Sequence, residues 1–218
     1  MKSNLTCTKK RIIIGISGGS GAGKTTLLRR LGEVLHQQKP SIFSMDNYYN
    51  TIDNQQKDTR GVINFDLPTA LNEQQLTTDL IALSNGIPIE VKEYFFNSSP
   101  AKNVLLTIQP SRILIVEGLF LYHYVGVRNL LDYTIFVDVE PNVQLDRRIY
   151  RDQETRGYRR SDIIYQWENH AVPCFNEFIL PYKKEASFIY RNNHHADEDF
   201  RKLLLSLQSR FPTLILND

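Results

Sequence analysis

The stretch Arg11–Thr26, RIIIGISGGSGAGKTT, decides the fold. Its first half, Arg11–Ser17, is a short β-branched apolar run that reads as a buried parallel strand. Its second half, Gly18-Gly19-Ser20-Gly21-Ala22-Gly23-Lys24-Thr25, has the spacing G-x-x-x-x-G-K-[ST]. Phosphate oxygens must come close to the backbone, and glycine leaves the room while accepting unusual dihedrals. The N–H groups so exposed form an anion nest at a helix N-terminus. Lys24 then reaches the β- and γ-phosphates, and the Thr25 hydroxyl, followed by Thr26, stands ready for Mg²⁺. Leu27, Leu28, Leu31, Val34 and Leu35 recur at helical spacing, so a helix over Lys24–Gln37 follows the loop.

Outward from the loop, Ser41–Met45, Arg112–Glu117, Tyr133–Val139 and Ser187–Tyr190 read as further core strands. Helices are expected over Thr69–Ser84, Asn142–Glu154 and Glu198–Phe211. Another is expected over much of Ser161–Ala186, broken near Pro173 and Pro181. Ile87–Phe96 and Val104–Ile108 read as two strands of an insertion outside the main sheet, and Asp46–Gly61 as a loop. The expectation is an α/β fold, a parallel sheet with helices on both faces. It is one domain over 1–218, with an acceptor-binding insertion near 46–110 and a lid near 156–160.

Composition narrows the function. With 218 residues and 41% hydrophobic, the chain can bury a sizeable core. A net charge of +2 gives no general attraction for nucleic-acid polymers. The apolar run Ile12–Ile16 is too short for a signal peptide or a membrane span, so a cytoplasmic protein without membrane partners is expected. There is no N-K-x-D sequence of the kind GTPases use to read guanine. Asp58–Gly61 (DTRG) matches D-x-x-G, but that pattern is common by chance. The strand at 112–117 ends Val116–Glu117–Gly118, not in the Asp-Glu of motor and transport ATPases. A kinase or a nucleotide-binding regulator remains.

Beyond the glycine loop, several segments fall in a fixed order: SMDNYY (Ser44–Tyr49), NFDLPTAL (Asn64–Leu71), ILIVEGLF (Ile113–Phe120) and IFVDVE (Ile135–Glu140), then RRIYRDQETRG (Arg147–Gly157) and FNEFILPYKKEA (Phe175–Ala186). In this order the chain resembles the uridine kinases. The resemblance implies ATP (or GTP) as phosphoryl donor, Mg²⁺, and a nucleoside acceptor phosphorylated at its 5′-hydroxyl. It makes Asp46 the base beside that hydroxyl, Asp66 the holder of the ribose diol, and Glu117 a metal partner with Thr25. It places Tyr49, Tyr94, Phe96, Arg148 and Gln166 around the acceptor, and Arg151 and Arg156 on the phosphates. Similar proteins form tetramers, which implies a homo-oligomer.

Local chemistry agrees without deciding. A strand-end carboxylate such as Asp46 suits a general base but also a turn, and Asp66 before Pro68 also fits a turn. The arginines suit phosphate, yet the interleaved Asp146, Asp152 and Glu154 also suit a solvated helix face. His123, His170, His194 and His195 show no metal spacing and read as structural or surface residues.

Two segments depart from the resemblance. Uridine kinases read the pyrimidine with a Tyr and a His in a segment like Y-D-F-x-x-H; here it is Tyr94–Ser99, with Phe95 for the Asp and Ser99 for the His. Their R-G-R becomes Arg156–Gly157–Tyr158. A kinase of another small alcohol and a non-catalytic nucleotide-binding regulator therefore stay open.

Overall fold

The computed structural model describes residues 11–96 and 104–216. Along the chain the strands are β1 (Ile12–Gly18), β2 (Ser41–Ser44), β3 (Ile89–Lys92), β4 (Leu105–Ile108), β5 (Ile113–Glu117), β6 (Tyr133–Asp138) and β7 (Phe188–Arg191). Five of them form one sheet in the order β2-β5-β1-β6-β7, with every pairing parallel. The apolar Arg11–Ser17 run is its central strand, buried at every position from Ile12 to Gly18. β3 and β4 pair antiparallel as a separate two-stranded sheet, as their alternation predicts. The expected strand at 87–96 is cut short: β3 ends at Lys92, Glu93 N–H still bonds to the Val104 carbonyl at 2.9 Å, and Phe96 lines the cleft described below.

The helices are α1 (Lys24–Val34), α2 (Glu73–Ser84), α3 (Val125–Arg128), α4 (Pro141–Glu154), α5 (Arg160–Gln166), α6 (Val172–Cys174) and α7 (Ala196–Arg210). Side chains alternate across a strand, so the central sheet feeds two cores. Ile12, Ile14, Ile16, Ile115 and Val137 pack with Leu27 and Leu31 of α1 and Leu203 and Leu207 of α7. Ile13, Leu114, Val116 and Phe136 pack on the other face with Leu76, Leu80 and Leu83 of α2 and with Phe120. Among the described residues no helix is long and apolar enough to cross a membrane.

Two expectations need correcting, and one short helix was not expected. Helix α2 begins at Glu73 because Pro68–Ala70 forms a 3₁₀ turn and the Asn72 side chain caps Gln75 N–H at 3.0 Å. The short α3 has no strong period in the sequence. Helical backbone also runs through Pro173 without a break. Wide π turns at Trp167–Ala171 and Phe175–Ile179 flank it, with Val172 N–H bonded to the Trp167 carbonyl and Leu180 N–H to that of Phe175. These i→i−5 bonds re-phase the ladder around the residue that lacks a donor. Only at Ile179 (φ −119°) does the helix give way, to a 3₁₀ segment carrying Pro181.

The loop after β1 turns on two left-handed glycines, Gly21 (φ 76°) and Gly23 (φ 97°). A Cβ at Gly21 would run into the Gln144 carbonyl of α4. Gly21→Ala is therefore expected to lower stability by about 2 kcal/mol from the left-handed backbone and the forced shift of α4, read by chemical denaturation. A Gly61→Ala control, also at positive φ but facing open space, carries only the backbone share.

Candidate active site

The glycine loop is held from outside. The Ala22 carbonyl accepts from Asn192 Nδ2 at 2.6 Å and from Arg147 at 3.4 Å. No side chain caps α1 at Gly23, so its first N–H groups stay open toward the loop, as an anion nest requires. Lys24 Nζ donates to the carbonyls of Gly18 and Gly19 at 3.0 and 3.1 Å. Burial lowers the Lys24 pKa, while the charges of Glu117 and Asp46 oppose that shift. Ser20 and Lys24 line a cleft of about 610 Å³. Thr25 and Thr26 sit on the exposed first turn of α1.

Parallel pairing brings Asp46 to this cleft and buried Glu117 close beside it. Ser44 at the end of β2 lies opposite Glu117 at the end of β5. Its hydroxyl donates to Glu117 Oε1 at 3.1 Å and accepts from Asp46 N–H at 3.3 Å. The turn after β2 thereby points Asp46 into the cleft. Glu117 is buried, and burial first, then the Asp46 charge, pushes its pKa up to about 7, with Lys24 and the Ser44 hydroxyl pulling it down. Oxygen donors of this kind, Glu117 with the Thr25 hydroxyl, suit a hard cation such as Mg²⁺.

The opposite wall holds the rest of the expected residues. Arg148, reaching in from α4, donates to both oxygens of Asp66 at 3.4 and 3.1 Å and to Gln166 Oε1 at 3.5 Å. Both members of the Arg148–Asp66 pair are buried. Tyr49, Phe65, Tyr94 and Phe96 form an aromatic box with ring centroids 4.9–5.8 Å apart. The Arg156 guanidinium lies 3.8 Å above the Phe96 ring, a cation–π geometry. Tyr158, at the position of the missing arginine, also lines the cleft. Asn97–Ser99, the rest of the departing segment, lies outside the described residues.

Asp152 is the residue that sequence reading missed. It belongs to no solvated face: it is 1% exposed. It meets Arg151 Nε at 2.7 Å, Arg156 at 3.2 Å and Arg148 Nε at 3.5 Å. The available signal was the i, i+4 ladder Arg148–Asp152–Arg156, which stacks opposite charges on one helical face. His170 is also not a surface residue. It is buried and lines the cleft one turn after Gln166.

The raised Glu117 pKa has a signed consequence. The folded state favours the protonated acid, so stability is fully present below the ordinary carboxylate pKa and is lost as pH rises through about 7. In chelator, Glu117→Gln is expected to be more stable than the parent at pH 8, by about 2 kcal/mol. That gain should vanish by about pH 4.5; melting curves across pH check it.

The family model described as "Phosphoribulokinase / Uridine kinase family" matches residues 13–197. The uridine kinase of Lactobacillus helveticus is 32% identical over 202 residues, covering 92% of this chain and 96% of that protein. The uridine kinase of Macrococcus caseolyticus is 34% identical over 180 residues, covering 83% and 87%. In fold, the chain is similar to the solved phosphoribulokinase from Rhodobacter spheroides (TM-score 0.62), at 18% identity over 84% of this chain and 71% of that one. A glycine loop, a lysine and strand-end carboxylates around one cleft, joined to relatives of this length and identity, make the chain a phosphotransferase that belongs to the phosphoribulokinase/uridine kinase family.

Proposed function

We propose that the chain transfers the γ-phosphoryl group of ATP (or GTP) to the 5′-hydroxyl of a nucleoside, uridine first and cytidine next. The observation that carries this reading is that one cleft is lined both by Ser20 and Lys24 of the glycine loop and by Asp46, Asp66, Arg148 and the aromatic box. Tyr49, Phe65 and Phe96 line the cleft and offer ring surface on which a flat base can stack. The Asp66 carboxylate, oriented by Arg148, can accept from two neighbouring hydroxyls, as a ribose diol presents. Asp46 would then take the proton of the attacking hydroxyl.

On the donor side, the loop amides and Lys24 hold the phosphates. Thr25 and Glu117 would hold Mg²⁺, which supplies charge neutralisation on the β- and γ-phosphates when bound. Arg151 and Arg156, both fixed on Asp152, would meet the charge that develops on the transferred group. Their bidentate forks suit phosphate better than lysine would.

The test is ADP release with each ribonucleoside as acceptor, in parent and Asp46→Asn protein. Uridine should turn over best. Asp46→Asn should lower kcat by a factor of about 100 or more while leaving the KM for ATP within about twofold. Survival of uridine phosphorylation within a few-fold in the variant would remove Asp46 from the role of base.

A further inference from the structure

The turn Asp58–Gly61, which resembles a nucleotide-binding pattern only by chance, does different work in the fold. Residues 55–64 form a small hairpin, with Lys57 bridged to Ile63 and Asn64 N–H bonded to the Gln56 carbonyl at 2.8 Å. One carboxylate oxygen of Asp58 closes its turn, accepting from Arg60 N–H at 2.8 Å and Val62 N–H at 2.9 Å. The other oxygen leaves the hairpin. It accepts from the Tyr165 hydroxyl at 2.7 Å and from His170 Nε2 at 2.8 Å. A carboxylate only accepts, so Nε2 carries the proton. The Arg60 guanidinium adds to the contact, 4.7 Å above the Tyr165 ring. Tyr165 and His170 belong to α5 and the π turn after it, 107 and 112 residues away in the chain.

What these bonds join are two walls of the acceptor side of the cleft. Past the hairpin, Asn64 Oδ1 accepts from Asp66 N–H at 2.9 Å, so the hairpin leads straight into Phe65 and Asp66. Gln166, which accepts from Arg148, and His170 lie on the helix that Asp58 grips. Ile63, Phe65, Asp66, Gln166 and His170 all line the cleft. We propose that Asp58 is a positioning residue for the acceptor: its carboxylate latches the 55–64 hairpin to the helix carrying Gln166 and His170, and so fixes Phe65 and Asp66 where the acceptor docks. The proposal rests on the phosphotransfer reading of this cleft. The Tyr165 hydroxyl holds the Asp58 carboxyl well below the usual carboxylate range, helped by His170 and the two turn amides, which keeps it an acceptor at neutral pH.

The test uses Asp58→Asn, which keeps an oxygen for the turn amides but loses the second acceptor, and Tyr165→Phe, which removes one donor from the helix side and leaves the turn intact. With uridine and ATP, Asp58→Asn should raise the uridine KM about tenfold and Tyr165→Phe about threefold, with kcat and the ATP KM within about twofold of the parent. Amide exchange across 55–64 should rise by about tenfold in Asp58→Asn. A lower melting temperature with an unchanged uridine KM in Tyr165→Phe makes the contact purely structural and overturns the proposal. If the parent turns over no ribonucleoside, the nucleoside reading falls, and exchange then decides the latch: unchanged protection of 55–64 in both variants overturns it.

Discussion

Compensation of charge inside a low-dielectric cleft is the constraint on which the rest of the site depends. Lys24, Arg148, Arg151 and Arg156 face Asp46, Asp66, Glu117 and Asp152. Isolated, a buried arginine or carboxylate would cost several kcal/mol. Pairing offsets part of that cost and holds the side chains in place. Arg148 shows the balance: burial acts against its charge, and Asp66 with Asp152 more than restores it, so its pKa is raised. Arg156 shows the opposite outcome, with burial and Arg151 prevailing over Asp152.

Helix α4 carries this arrangement across the site. Gln144, Arg148 and Asp152 follow each other at i, i+4 and i+8 and are all buried, an unusual stripe for polar residues. Gln144 backs the glycine loop, where the Gly21 backbone lies against its carbonyl, and donates to the Val139 carbonyl at 2.9 Å. Arg148 orients Asp66, and Asp152 holds Arg151 and Arg156. One rigid helix thus sets the distance between the glycine loop and the opposite wall of the cleft, and positioning of that kind matters in a transfer reaction.

The parts of this design that were legible in the sequence are those encoded by local pattern. The apolar runs gave the central strands, and the glycine spacing gave the loop and the start of α1. The alternation at 87–92 marked the extra hairpin. Pairings across more than a hundred residues leave no local signature. Asp58 looked like a chance motif because its partners, Tyr165 and His170, lie on another element. His170 read as either structural or surface because nothing near it in sequence says that it is buried. Asp152 was legible in principle, since its partners are one turn away on its own helix. Pro173 misled because proline is read as a break, whereas paired π turns carry the helix past it.

The π turns also shape the wall of the cleft that carries Gln166 and His170. A π turn adds a residue to the helical cycle and so rotates everything beyond it relative to what precedes it. In a regular α-helix, positions 166, 170 and 174 would fall along one stripe. Here the turn at Trp167–Ala171 lies between them. Gln166 and His170 line the polar cleft, whereas Cys174 lines the neighbouring apolar cavity with Trp167, Phe175 and Ile179. The irregular backbone separates a hydrogen-bonding wall from an apolar one within two turns of a single helix. A straight helix would have carried the thiol, whose pKa burial drives up, along the stripe that lines the polar cleft.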